Sequence, residues 1–106
     1  MWRDGRGHYH VLTHDHTMGG GHGYSRDGLH WLYGRSPAYE PTVAFADGRS
    51  VRMNRRERPH VVIDSQHGTP THLITACLSP DDQAPAAGAN GLAADRTRTL
   101  VQPIGV

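Results

Sequence analysis

The chain has 106 residues, a net charge of +1 at neutral pH, eleven arginines, no lysine and one cysteine. This length allows one domain with a modest core. The weak net charge argues against a nucleic-acid partner, and Cys77 alone excludes an internal disulfide. No long apolar run and no charged-then-apolar N-terminus is present, so neither a membrane span nor a signal peptide is expected and the compartment stays open.

In chain order, residues 8–14 ("HYHVLTH"), 29–33, 42–45, 60–64, 71–78 and 97–104 are short runs rich in Val, Ile, Thr, Leu and aromatics, the composition of strands. Between them, Asp4-Gly5, Asp27-Gly28, Asp47-Gly48 and His67-Gly68-Thr69-Pro70 read as turns. No window sustains helical periodicity with caps. The expected fold is therefore all-β, in antiparallel sheets. Residues 79–95 ("SPDDQAPAAGANGLAAD") read as a long loop by their Pro, Gly and Ala content.

Two local features sharpen this picture. In "SRDGLHW" (25–31), Ser25 and Asp27 are expected to accept backbone N–H bonds within a turn, with Trp31 leaving it as an apolar plug on the next strand. The glycine run 19–23 lacks the Lys-Ser/Thr of a phosphate loop and precedes a hairpin, so it is read as a flexible approach to that hairpin. No cofactor is implied.

"DGRGHYHVLT" (4–13) and "DSQHGTPTHLIT" (64–75) share Asp, Gly, a short spacer, His, two apolar residues and Thr. The 62-residue step between His10 and His72 suits one propeller blade with generous loops. With "WRDGRGHYHVLTH", "GGGHGYSRDGLHW", "RRERPHVVIDSQHGTPTHLITA" and "TRTLVQPI", the chain resembles part of a five-bladed β-propeller of the glycoside hydrolase family 43 kind. The resemblance implies about two blades in one partial domain: a first blade region near 1–50 and a second at 51–106 carrying the 79–95 loop. Five blades need roughly 300 residues, so it also implies an N-terminally shortened fragment that does not hydrolyse sugars alone. Relatives of this kind would be secreted.

Glycoside hydrolysis requires two carboxylates flanking the scissile bond. The candidates are Glu57 and Asp15. On a strand, Arg55 shares the face of Glu57 while Arg56 and Arg58 point away, and Pro59 is expected to hold Arg58 extended. A neighbouring cation would keep Glu57 ionised; a structural Arg–Glu pair is the alternative. His8, His10, Leu12, His14 and His16 fall on one face of an extended strand, with His22 nearby. Such a row can contact sugar hydroxyls, hold zinc, copper or nickel, or be solvated, although it matches no closed metal motif. The substrate-binding set is thus His14, His16, His22, Arg56 and Arg58, and no metal site is assigned. The expected partner is a carbohydrate, with self-association through open sheet edges; a sugar-binding or oligomerising module and a His-rich metal-binding β-protein are the other readings.

Overall fold

A computed structural model describes residues 1–15, 19–80 and 98–104. The described residues contain no α-helix, and their nine strands form three antiparallel sheets. The 79–95 loop lies, beyond residue 80, outside the described residues, as does His16.

The first sheet is a meander of β1 (Trp2–Arg3), β2 (Tyr9–Asp15), β3 (Gly19–Ser25) and β4 (Leu32–Tyr33). Its register sets Trp2 opposite His10, His10 opposite Tyr24 and Leu12 opposite His22. Residues directly opposite in an antiparallel pair share a face, so these five side chains occupy one side of the sheet. The second sheet is the hairpin of β5 (Thr42–Ala44) and β6 (Ser50–Arg52), and the third joins β7 (Arg55–Ile63), β8 (Pro70–Leu78) and β9 (Arg98–Pro103). The hairpin covers the third sheet. Val43 and Met53 pack with Cys77 into the buried core, flanked by Phe45, Val51 and Leu100.

The aspartates build the turns by one device. Asp4 Oδ1 accepts the backbone N–H of Arg6 and of His8 at 2.9 and 3.0 Å, and Asp64 Oδ1 accepts that of Gln66 at 2.9 Å. Asp47 does the same for Arg49 at 3.0 Å. A carboxylate that bonds the backbone two residues on closes a turn before the ladder forms. The two halves of the sequence repeat are therefore two equivalent turns, joining β1 to β2 and β7 to β8. They also pack together: a Cβ on Gly5 would meet the carbonyl of His67, and one on Gly68 the backbone of Gly5.

Four expectations need correction. The run "GGGHG" is not a flexible approach but part of β3, with Gly19 and Gly20 buried. Glycine is required there because a Cβ on Gly20 would fall on the Tyr39 ring, and Gly20 N–H donates to the Tyr39 carbonyl at 3.0 Å. Trp31 is not a plug on a strand: its indole N–H donates to the Gly28 carbonyl at 3.1 Å, closing the turn that Ser25 and Asp27 build as expected. Strand β4 is correspondingly short. Arg58 is not extended, since its φ is +52°. Two residues, Arg58 and Pro59, stand opposite Thr75 between the pairs Glu57–Ala76 and His60–Ile74, and the missing N–H of proline is tolerated at such a bulge. Strands β1, β3 and β6 lie outside the runs expected from composition.

One buried cation ties the layers together. Arg56, 5% exposed, donates from Nη1 to the Glu40 carbonyl (2.7 Å), from Nη2 to Gln102 Oε1 (2.7 Å) and from Nε to Thr75 Oγ1 (3.3 Å). Its guanidinium lies 4.8 Å from the centre of the Tyr39 ring, and Tyr39 Oη donates back to the Arg56 carbonyl at 3.2 Å. Replacing Arg56 by Met leaves the part-buried Glu40 carbonyl and Gln102 Oε1 without their donor, an expected loss of about 3 kcal/mol. Gly20→Ala should cost about 1–3 kcal/mol by overpacking against Tyr39. Urea unfolding of both variants measures these losses; wild-type midpoints would show that neither contact supports the fold.

Candidate functional site

The face of the first sheet that carries Trp2, His10, Leu12 and His22 opens onto two clefts that meet at Trp2, His22 and Pro70. One, of about 480 Å³, is rimmed by the paired turns and lined by Trp2, Asp4, Arg6, His10, His22 and His67. The other, of about 560 Å³, continues between the first and third sheets past Leu12, Tyr39, Val61 and Leu73.

The polar floor of the first cleft is a chain of three groups. Asp4 Oδ2 contacts His10 Nε2 at 2.8 Å, and His10 Nδ1 contacts His22 Nε2 at 2.9 Å. The two imidazole planes differ by 4° and their centres are 5.1 Å apart. With nitrogen atoms in direct contact, that separation means the rings lie end to end in one plane. Trp2 lies nearly parallel to both, 4.8 Å from His10 and 5.9 Å from His22. Behind them, Tyr24 Oη bonds His8 Nδ1 at 2.8 Å.

The hydrogen bonds fix where the protons are. His10 first among its partners, with Arg6 and two backbone N–H groups, holds the Asp4 carboxyl well below the usual carboxylate range, so it is ionised and accepts only. His10 must then carry its proton on Nε2, because two acceptors cannot face each other at 2.8 Å. In the neutral ring Nδ1 is therefore an acceptor, and His22 must donate from Nε2. Burial, and then the neighbouring His10, push the His22 pKa down, which keeps His22 neutral at physiological pH. Its Nδ1 is left as a lone pair, and among the described residues it has no hydrogen-bond partner.

Asp4 is itself saturated. Its four contacts, from Arg6 N and Nη2, His8 N and His10 Nε2, match the four lone-pair sites of a carboxylate. It is a positioning residue, with no capacity left for proton donation or nucleophilic attack.

The residues expected from the sequence are distributed differently. His22 is in the cleft. Arg56 is in the core, with its donors directed to neutral protein groups, at the edge of a separate cleft of about 310 Å³ beside Tyr39 and Gln102. Glu57 pairs with Ala76 on β7, Arg58 sits in the exposed bulge, and His14 and Asp15 occupy the end of β2 opposite Gly20 and Gly19. None of His14, Glu57 and Arg58 lines the two clefts at Trp2. Trp2, Asp4 and His10 were missed as a site. The available signal was period-two alternation, which put His10 on the face of the later His22, but the Trp2 strand is too short to read from composition. No group of three or more His, Cys, Asp or Glu is placed to hold a metal ion among the described residues.

Compared with protein-family models, with curated proteins and with solved structures, the chain matches none.

Asp4 and Asp27, the latter held down by the backbone N–H and ring of His30, are both ionised below the ordinary range. Groups with depressed folded pKa values contribute stability that is present above the unfolded value of about 3.9 and is lost as pH falls below it. His22 adds an earlier loss, beginning below about 6.5, because the unfolded histidine takes up a proton before the folded one does. Melting temperatures between pH 2 and 8 should fall in these two stages, and Asp4→Asn should flatten the acid stage; an unchanged acid stage in that variant would remove Asp4 from this account.

Proposed function

We propose that this chain is a carbohydrate-binding β-module of propeller-like, blade-type construction, binding sugar in the cleft at Trp2 and not hydrolysing it by itself. The observation that carries the reading is the cleft floor: an indole lying parallel to two coplanar imidazoles, with a guanidinium at the rim. An apolar ring face beside a few fixed polar groups suits a pyranose, which offers an apolar C–H face and a rim of hydroxyls. The resemblance of the carrying segments to family 43 glycoside hydrolases supports the substrate class, and the meander of the first sheet suits a blade. The repeated Asp turns suit successive blades.

Binding is favoured over hydrolysis by the state of the carboxylates. Hydrolysis needs an acid and a second carboxylate on opposite sides of one bond. Asp4, the only carboxylate lining this cleft among the described residues, has all its acceptor sites occupied.

Titration of the full chain with methyl glucoside, xylobiose and cellobiose, followed by Trp fluorescence and calorimetry, tests this. Saturable binding is expected, weakened roughly tenfold or more by Trp2→Ala, equivalent to about 1.4 kcal/mol, and largely retained by Trp2→Phe. Absence of binding to millimolar sugar, or equal binding by Trp2→Ala, overturns the reading.

A second reading concerns assembly. Strand β4 ends the first sheet with Leu32 and Tyr33 72% and 61% exposed, and β9 ends the third with Val101 exposed. Unpaired strand edges with apolar side chains recruit further strands, so closure of a ring by several copies follows naturally. Light scattering across a concentration series should show a discrete oligomer that Leu32→Lys with Tyr33→Glu dissociates; a monomer at all concentrations would exclude it.

A further inference from the structure

The chain Asp4–His10–His22 does more than order a cleft. Because Asp4 fixes the proton of His10 and His10 fixes that of His22, Nδ1 of His22 is an acceptor in the neutral state. The next proton taken up converts it to a donor by either route. It can stay on His22, leaving the Nε2–H of that ring bonded to His10. Alternatively the Nε2 proton passes to His10 Nδ1, giving an imidazolium held between Asp4 and a neutral His22. In both states His22 Nδ1 carries hydrogen, so one proton reverses the polarity of one atom in the cleft.

The charges around this atom decide what ligand would exploit the reversal. From the turn before β2, Arg6 is paired with Asp4 at 2.9 Å, so the two cancel. From the third sheet, His67 faces the same cleft while its Nδ1 contacts Asp64. Just before β2 and on β3, His8 and Tyr24 bond each other. Arg35, from the segment after β4, lines the adjoining cleft. No carboxylate in this set has a free face toward His22, since the Asp4 oxygens are all engaged. A protonated His22 therefore gives the cleft an uncompensated positive charge, with Arg35 in the adjoining cleft.

We propose that this cleft takes a carboxylate ligand together with one proton, the carboxylate accepting from Nδ1–H of His22. If the sugar reading above holds, on which only the ligand's framework rests, the substrate class is an acidic sugar carrying a uronate group. The balance is simple: one proton moves from solvent to His22 Nδ1, one anion enters, and the net charge of the cleft is unchanged. A neutral sugar gains nothing from the switch, because a hydroxyl can donate to Nδ1 or accept from it.

Calorimetry on the full chain with sodium acetate, glucuronate and glucose, each between pH 5 and 8 and in two buffers of different ionisation heat, tests the coupling. Association of acetate and glucuronate should weaken by about tenfold per pH unit above the His22 titration, with uptake approaching one proton, whereas glucose should show no slope. His22→Gln should abolish the slope. Long-range ¹H–¹⁵N spectra of the unliganded protein at pH 8 should show both His10 and His22 protonated on Nε2. Acetate binding with proton uptake but no binding of either sugar supports the carboxylate site while overturning the sugar reading. Carboxylate binding without a pH slope, no carboxylate binding at pH 5, or His22 protonated on Nδ1 at pH 8 overturns the proposal.

Discussion

The structure depends on a single buried guanidinium. Arg56 reaches from β7 across the face of the third sheet to Thr75 on β8 and Gln102 on β9, and holds the Glu40 carbonyl on the segment that links the first sheet to the β5–β6 hairpin. The three groups it bonds are uncharged. Burial therefore pushes the Arg56 pKa down, yet arginine stays protonated at any pH the fold meets. Such a cation is costly to bury unless its hydrogen bonds are made, which couples the positions of three segments to one side chain. The contact then propagates: Tyr39 stacks on Arg56, bonds its carbonyl, and receives Gly20 of β3. First and third sheets are joined through this line of Arg, Tyr and Gly.

The second constraint is the aspartate turn. At Asp4 and Asp64 the same closure places two turns at the same end of two sheets, and Gly5 against Gly68 lets them touch. The cleft at Trp2 exists because these turns form its rim while the Tyr39 line holds the sheets at its far end. Asp4 thus acts twice, first on the backbone of its own turn and then on His10. A structural turn residue becomes the anchor of the proton arrangement that leaves Nδ1 of His22 available to a ligand.

This arrangement is the basis on which binding without hydrolysis is proposed for residues that look catalytic. Three groups in line, carboxylate, imidazole and imidazole, can order a tautomer and move a proton. They do not supply the second carboxylate that glycosidic cleavage demands. Trp2, lying parallel to the imidazole pair, adds the apolar face. The functional character of the cleft comes from geometry that converts common surface residues into a defined set of donors and acceptors.

The sequence by itself determined the all-β class, the positions of the Asp-Gly turns and the bonds within the Ser25–Asp27 turn, because these follow from side chains acting on backbone within a few residues. It also put His10 on the face it occupies, through the two-residue period of a strand. Only the tertiary structure decided that "GGGHG" is a strand, since the need for glycine at 19 and 20 comes from Tyr39, twenty and nineteen residues away. The same is true of Arg56, which the sequence reading places in the substrate-binding set while its partners lie on β8, β9 and the linking segment. The site was the least legible part. Trp2, Asp4, His10 and His22 meet through strand register and a shared cleft, and no local rule of composition or spacing encodes which hydrogen bonds distant side chains will complete.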